Sequence, residues 1–442
     1  MKTRLGRLLT AAAAALVMAV SPFAGVKTSA AFTYTAINGT TTNFNKYLVL
    51  DGSAQVPNVT FGFTIEAGAA VPSSNGTMEV LAGVMTPTAP TVSSVTFAPD
   101  DLTVSYTDWS DTDQTYHTSD VSAEKMNGTA VLTENRKYAK QTAEVDFSGV
   151  TFSEPGIYRY VVSETAGSAT GIGYTTDKLI IDVYVTDYVD TDGKHKLQIE
   201  NVDNKAPYVI SRITASGSAA SITTGTNLGS DAYSSAEKAT GLTNTYTTHN
   251  LVVGKAVSGN QASRDKYFAL TVKVENLNAG DKFNVSIAAD ENDVTVDGNA
   301  DATSRINPAT IPANQNKENA QLITVANGAT SFEQTYYLQH GQYIAIRGLP
   351  HGASYTVSEA AEDYKQTANA TIDEVAFNSG TYSDTDKNIT GTLTTDAKVG
   401  FTNTRNGTVP TGIVLSVVPA VIIFALALAA LIVIAVRRKR AE

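Results

Sequence analysis

Hydrophobic and polar residues alternate in short runs along most of the chain. In runs such as "VTFGFTIE", "KLIIDVYVTD", "YFALTVKVE" and "AKVGFTN", every second residue is apolar, and clusters of Gly, Asn, Asp and Ser separate the runs. A period of two predicts β-strands with one buried face. No window of the central part has a convincing helical period. The pattern therefore predicts an all-β fold, built from sandwiches of antiparallel sheets.

The two ends of the chain depart from this pattern. Three basic residues precede the apolar run Leu8–Val20, and small residues follow it, which predicts a secretory signal peptide over residues 1–31, cleaved after Ala30 or Ala31. At the other end, Ile413–Val436 is uncharged and would span about 36 Å as a helix, enough for a bilayer. The four basic residues that follow are typical of the cytoplasmic side. We therefore expect a secreted chain whose precursor is held in the plasma membrane.

Composition narrows the possible partners. Without the two end segments the chain has 24 basic and 42 acidic residues, a formal net charge of −18, so nucleic acid and anionic surfaces are poor partners. There is no cysteine, so the chain forms no disulfide, Cys-based thioester or cysteine nucleophile. Any covalent reinforcement outside the cell must come from other chemistry.

The central part of the chain repeats. One unit runs from "NKYLVLDGSAQVPNVTFGFTIE" to "GLTNTY", and a second runs from "NLVVGKAVSGN" to "VGFTNT". Each contains a Pro- and Gly-containing turn, "EPGIY" or "LPHGASY", that leads into a strand. We place the junction near residues 247–250. The predicted domains are residues 32–247 and 248–406, followed by a tail at 407–442.

Each unit carries polar residues on the apolar face of its strands. Glu164 shares a face with three apolar residues of "YRYVVSET", and Glu359 shares one with two apolar residues of "YTVSEA". The same parity places a lysine and an asparagine on apolar faces of the first and last strands of each unit: Lys46 and Asn244, and Lys255 and Asn403. Each unit thus directs one Lys, one Glu and one Asn towards its core.

Singly, these residues have ordinary explanations, because a lysine can snorkel at a strand end and a glutamate or asparagine can belong to a turn. A matched set in the same order in both units is harder to explain in this way. An unpaired charge in a core costs several kcal/mol, so the three side chains of each set should pair with one another. Burial lowers the pKa of an amine and raises that of a carboxylic acid. A neutral lysine could then attack an asparagine carboxamide while Glu164 or Glu359 relays protons, giving a Lys–Asn isopeptide bond and ammonia. This would happen once per molecule, so the chain is not expected to be a turnover enzyme or to need a cofactor.

These residues carry a resemblance to a known family. The segments "NKYLVLDGSAQVPNVTFGFTIE", "EPGIYRYVVSET", "LTNTYTTHNLVVGKAVSG", "LPHGASYTVSEA" and "FTNTRNGTVPTG" resemble sortase-assembled backbone pilins of Gram-positive bacteria, of the two-domain streptococcal type. The resemblance implies two tandem Ig-like (CnaB-type) sandwiches in a shaft subunit of a cell-surface pilus. It also implies that Lys46 pairs with Asn244 and Lys255 with Asn403, with Glu164 and Glu359 assisting.

The resemblance also assigns a role to "VPTG", which is Val409, Pro410, Thr411 and Gly412, just before the apolar tail. In this family a sortase cuts such a signal between Thr and Gly, here Thr411 and Gly412, and passes the Thr carbonyl to an amine. The common pattern is Leu-Pro-x-Thr-Gly. Here Val409 replaces the Leu and the x is absent, so the identity of the sortase stays open.

Polymerisation further requires an acceptor lysine on the next subunit. By the resemblance, this is Lys238 in "SSAEKATGLTN", with Lys205 in "VDNKAP" as the second candidate. The implied partners are identical subunits, a pilus sortase, accessory pilins and peptidoglycan, with membrane contact in the precursor only. The implied location is the cell wall and pilus.

Other classes of function fit less well. The alternative is a wall-anchored adhesin, or a minor tip or basal pilin, that binds a host ligand, but no pocket can be read from the sequence and Trp109 is the sole tryptophan. "DENDVTVDG" lacks the spaced oxygen ligands and the closing glutamate of an EF-hand loop, so no metal site is predicted there. The five histidines are scattered and suggest no nucleophile–base pair.

Overall fold

The computed structural model describes residues 32–70, 80–105, 136–199, 207–213, 241–288, 322–360, 362–407 and 423–429. Residues 423–429 are helical and exposed, and they fall within the predicted membrane span. In these described ranges, no helix has the length and apolar character needed to cross a membrane.

The rest of the described chain consists of strands joined by turns and loops. In the first unit the strands are β1 Ile37–Asn38, β2 Thr41–Asp51, β3 Val59–Phe61, β4 Phe63–Ala67, β5 Val80–Ala82, β6 Thr91–Val92, β7 Val95–Phe97, β8 Thr103–Ser105, β9 Arg136–Asp146, β10 Thr151–Phe152, β11 Gly156–Glu164, β12 Ile172–Gly173, β13 Lys178–Val189, β14 His195–Gln198, β15 Tyr208–Ile213 and β16 Gly241–Tyr246. In the second unit they are β17 Thr248–Ser258, β18 Phe268–Glu275, β19 Lys282–Ala288, β20 Leu322–Thr324, β21 Ser331–Leu338, β22 Tyr343–Pro350, β23 Ser354–Glu359, β24 Lys365–Ala368, β25 Ala370–Ile372, β26 Val375–Phe377, β27 Thr381–Ser383, β28 Asn388–Thr392 and β29 Ala397–Thr404.

The first unit is a sandwich of two sheets. One sheet has the order β12-β16-β2-β9-β6, with β8 also paired to β9, and the other has the order β14-β13-β11-β4, with β15 on β13 and β5 on β11. Their inner faces enclose one hydrophobic core, in which Phe44, Leu48, Tyr160, Val162 and Leu242 are at most 1% exposed.

The second unit repeats this design. Its sheets have the orders β20-β19-β22-β17-β29-β24 and β21-β18-β23-β28-β27, and they enclose a separate core. The outer face of β17 and β22 is also covered, because the β25–β26 hairpin packs a smaller cluster against it. This explains why Tyr343 and Ala345, on the outer face of β22, are buried as well as its core-facing residues, whereas β18 alternates between buried and half-buried positions. The predicted all-β class, with tandem sandwiches, is confirmed.

In each unit the strand that carries the lysine, β2 or β17, is the neighbour of the last strand and runs parallel to it. β2 pairs with β16 in the first unit, and β17 pairs with β29 in the second. All other partners of these four strands are antiparallel. A parallel pair needs a long connection between its strands, and here the rest of each unit supplies it. The beginning and the end of each unit therefore lie side by side.

Candidate functional site

The polar residues predicted to point inwards in the first unit meet in its core, and we call Lys46, Glu164 and Asn244 the first cluster. In the parallel β2–β16 ladder, Lys46 lies opposite Leu242 and Asn244 lies opposite Leu48. Lys46 and Asn244 are thus diagonal neighbours on one face, a separation that a long side chain spans. Glu164 ends β11 in the facing sheet and completes the cluster from the other side of the core.

The carboxylate of Glu164 bridges the other two side chains. The Lys46 ammonium contacts Glu164 Oε2, and Asn244 Nδ2 donates a hydrogen bond of 2.6 Å to Glu164 Oε1. The side chains of Lys46 and Glu164 have no exposed surface, and Asn244 is 1% exposed. The oxygen of the carboxamide is held as well, because the backbone N–H of Thr175 donates to Asn244 Oδ1 at 2.8 Å.

The second cluster, Lys255, Glu359 and Asn403, is built on the same plan. Lys255 lies opposite Phe401 and Asn403 lies opposite Val257 in the parallel β17–β29 ladder, which is the same two-residue offset. Lys255 Nζ lies 2.9 Å from Glu359 Oε1 and 3.1 Å from Oε2, and Asn403 Nδ2 donates to Oε1 at 3.0 Å.

The second cluster also differs from the first in two contacts. Gln366, on β24 beside Asn403, donates from Nε2 to Glu359 Oε2 at 3.0 Å. Asn403 Oδ1 is buried and has no hydrogen-bond partner among the residues that the structure describes. Within the described part of the chain, the glutamate therefore has one more hydrogen-bond donor in the second cluster, and the carboxamide oxygen has a donor only in the first.

The surroundings of both lysines are apolar. Lys46 Nζ lies 4.9 Å from the centroid of the Phe61 ring, and Lys255 Nζ lies 4.6 Å from that of Phe268. Loss of hydration on burial lowers the pKa of each lysine to about 8, and the attraction of the neighbouring glutamate only partly opposes this. A lysine with a pKa near 8 has far more of its neutral, nucleophilic form at pH 7 than an ordinary lysine.

The arrangement brings together a nucleophile, an electrophile and a proton carrier in a buried core. A lysine amine could attack the asparagine Cγ, and the glutamate touches both the attacking amine and the leaving nitrogen. Such contact supplies the orientation that a slow amide exchange requires. The six residues predicted from strand parity are therefore assembled into two clusters suited to amide exchange.

Sequence reasoning missed Thr175 and Gln366. Gln366 is one polar residue in the short strand "KQTA", and Thr175 acts through its backbone, so neither carries a sequence signal.

Several predicted features lie outside the described residues. These are the signal peptide, Trp109, "DENDVTVDG", both acceptor candidates Lys205 and Lys238, the motif Val409 to Gly412, and the basic end of the tail. The predicted span from Ile413 to Val436 is described only at 423–429.

Comparison with known proteins adds an independent line of evidence. Residues 42–247 match the family described as the Spy0128-like isopeptide containing domain, and residues 249–405 match a domain of unknown function, DUF7601. A pilin of Streptococcus pyogenes serotype M1 is 26% identical over 294 residues, which cover 63% of this chain and 66% of that pilin.

Solved structures of major pilins are also similar. The major pilin from Streptococcus pyogenes is 21% identical, with a TM-score of 0.45 over 84% of this chain and 100% of that one. The major pilin T3.2 from S. pyogenes serotype GAS13637 is 19% identical, with a TM-score of 0.46 over 84% of this chain and 99% of that one.

Residues 42–247 are therefore similar to the Spy0128-like isopeptide containing domain, and the resemblance of the chain to the streptococcal backbone pilins is confirmed.

Proposed function

We propose that this protein is the shaft subunit of a covalently polymerised pilus on the cell surface. Each sandwich closes its own Lys–Asn isopeptide bond, Lys46 to Asn244 and Lys255 to Asn403. A sortase joins the Thr411 carbonyl of one subunit to a lysine of the next, with Lys238 the first candidate for the acceptor and Lys205 the second. The protein is a structural subunit and a sortase substrate, and its own chemistry is a single event in each domain.

The observation that carries this proposal is the pair of buried clusters. Two lysines with no exposed side-chain surface each contact a buried glutamate that also binds an asparagine carboxamide. A buried ion pair alone is weak evidence of added stability, because desolvation costs about as much as the attraction returns. Conversion of the amine and carboxamide into a neutral amide removes the lysine charge from the core and adds a covalent link.

The position of the clusters also suits a load-bearing subunit. The bond would join β2 to β16 in the first unit and β17 to β29 in the second, so a pull on the two ends of the second unit passes directly from Lys255 to Asn403. The strands between these residues would carry no load. The family match to a Spy0128-like isopeptide containing domain supports the same chemistry for residues 42–247.

The direct test is the intact mass of the recombinant chain. We expect a deficit of two ammonia masses, and of one in Glu164→Ala or in Glu359→Ala, because each variant lacks one proton relay. The matched control is Glu144→Ala, since Glu144 is exposed on β9 and touches neither cluster, and it should keep both losses. A digest of the unaltered chain that returns both lysine–asparagine pairs as separate peptides would reject the proposal.

Polymer assembly is tested separately, in cells that carry the cognate sortase. Lys238→Ala should abolish the ladder of high-molecular-weight polymers while the monomer still reaches the wall. An adhesin or a minor tip or basal pilin needs no acceptor lysine, so a ladder unchanged by both Lys238→Ala and Lys205→Ala would favour that alternative.

A further inference from the structure

The two clusters differ at the atom on which charge would develop during the reaction. When the lysine nitrogen attacks Cγ of the asparagine, the carboxamide oxygen becomes an oxyanion. In the first cluster this oxygen already accepts a hydrogen bond of 2.8 Å from the backbone N–H of Thr175. In the second cluster the equivalent oxygen, Asn403 Oδ1, is buried and has no partner among the residues that the structure describes.

Thr175 is well placed to act as a fixed donor. It lies in the connection between β12 and β13, and β12 pairs with β16, the strand that carries Asn244. The Thr175 hydroxyl accepts a hydrogen bond of 3.0 Å from the backbone N–H of Asp177, which closes a local side-chain-to-backbone turn within this connection. The donor therefore belongs to the backbone of a closed turn and does not need to reorient as charge builds up.

The N–H of Thr175 lies within hydrogen-bond distance of the oxygen on which negative charge would develop. Donors that stabilise an oxyanion lie about 2.7–3.1 Å from it, and removal of one such donor slows reactions by about 10²–10³-fold. The effect is largest where water is excluded, and the Glu164 and Lys46 side chains in this cluster have no exposed surface.

We propose that the backbone N–H of Thr175 is a catalytic group of the first cluster, an oxyanion donor with no counterpart in the second cluster among the residues that the structure describes. The inference rests on the isopeptide formation proposed above. The neutral Lys46 amine forms a bond to Asn244 Cγ, and the carbonyl electron pair moves to Oδ1. The Thr175 N–H donates a hydrogen bond to the resulting oxyanion. A proton passes from the lysine nitrogen through Glu164 to Asn244 Nδ2. The C–N bond then breaks, ammonia leaves, and the carbonyl re-forms.

The test removes the donor and keeps the side chain. The full chain is made by cell-free translation with the α-hydroxy analogue of threonine at position 175, which replaces the backbone N–H by an ester oxygen. Samples are quenched over time, digested, and assayed by mass spectrometry for each crosslinked peptide. We expect closure of Lys46–Asn244 to slow by about 10²–10³-fold. Closure of Lys255–Asn403 in the same molecules should be unchanged.

Thr175→Ala is the matched control, because it removes the hydroxyl and keeps the N–H. It should close the first crosslink at a rate much nearer to that of the unaltered chain than to that of the ester chain. Equal closure rates in the ester and unaltered chains would overturn the inference alone. Absence of both crosslinks from the unaltered chain would reject the proposed function, and this inference with it.

A second measurement does not depend on the ester chain folding. In Glu164→Gln, which lacks the proton relay, the Thr175 amide should exchange its hydrogen slowly. Adding Asn244→Ala to this chain removes the acceptor and should speed exchange at Thr175 by about tenfold or more, the equivalent of one hydrogen bond. Equal exchange rates would show that the donor does not hold the carboxamide, which would overturn the inference.

Discussion

Replacement of Asn403 by alanine tests the contribution of the second crosslink to stability. The variant cannot form the Lys255–Asn403 bond, yet Lys255 Nζ keeps its contact of 2.9 Å with Glu359 Oε1. No isolated charge is left in the core, and among the residues that the structure describes Asn403 Oδ1 has no hydrogen-bond partner to lose. The crosslinked chain holds Lys255 as a neutral amide, whereas the variant keeps the Lys255–Glu359 ion pair, whose attraction offsets much of its desolvation cost. The loss of stability should therefore come mainly from the missing covalent link.

The size of the effect follows from the loop that the bond closes. Lys255 and Asn403 enclose roughly 150 residues, and closing a loop of that length in the unfolded chain is worth about 5 kcal/mol on a chain-entropy argument. The unfolding entropy of a domain of about 160 residues is about 0.3 kcal/mol/K, so the melting temperature of this domain should fall by about 15 °C.

The assay is differential scanning calorimetry of the full chain, with intact mass as a check on each sample. Asn403→Ala should lack one ammonia loss and show the shift in only one of its transitions, because the first domain keeps its crosslink. Asn378→Ala is the control, since Asn378 is exposed in the same domain and its substitution leaves the second cluster whole.

A shift of less than about 3 °C in Asn403→Ala, in a sample whose mass lacks one ammonia loss, would refute the reasoning. It would mean that the crosslink constrains the unfolded chain far less than the loop length implies. A control that lost as much stability as Asn403→Ala would refute it too, because the effect would then not depend on the bond.

Three further outcomes are expected. Burial lowers the pKa of Lys46 and of Lys255 to about 8. The rate at which each crosslink closes should therefore rise about tenfold from pH 6 to pH 7 and level off above about pH 8. A rate that does not change with pH in quenched time courses would contradict a free-amine nucleophile. Gln366→Met removes the donor to Glu359 Oε2 and should slow the second closure by about ten- to a hundredfold, the range expected for one hydrogen bond to a charged group. The first closure serves as the internal control, and an unchanged ratio of the two rates argues against a positioning role. In a single-molecule pulling experiment, Asn403→Ala should extend by unravelling its second domain; the same extension in the unaltered protein would contradict the proposed load path.

Local pattern was enough to identify the class of fold and the residues of both clusters. Side chains alternate across a strand, so the parity of Glu164 against Tyr160 and Val162 predicts the face on which each lies without knowledge of any partner strand. The same alternation predicts the faces on which Lys46 and Asn244 lie. The domain limits, the sorting motif and the acceptor lysine stay predictions.

The alternation of side chains along a strand did not predict every buried residue. Arg159 has the opposite parity to Tyr160 and belongs to the outer face of β11, where a charged residue is expected to be solvated. It is only 1% exposed, because the chain at Gly68 covers it. It forms a bidentate ion pair with Asp182, its partner across the β11–β13 ladder. Nothing in the pattern of β11 indicates that a further segment lies over this face.

Residue type and a period of two were sufficient to predict which cluster side chains point into each sandwich and which chemistry they can perform. Which of these side chains meet depends on how the strands pair and how the sheets pack. The parallel pairing of β2 with β16 and of β17 with β29 sets the shared two-residue offset between lysine and asparagine, and this register depends on contacts between residues far apart in the chain. The Thr175 N–H and the Gln366 amide belong to the same category, because a backbone donor or a single polar residue has a role only once another element is packed against it.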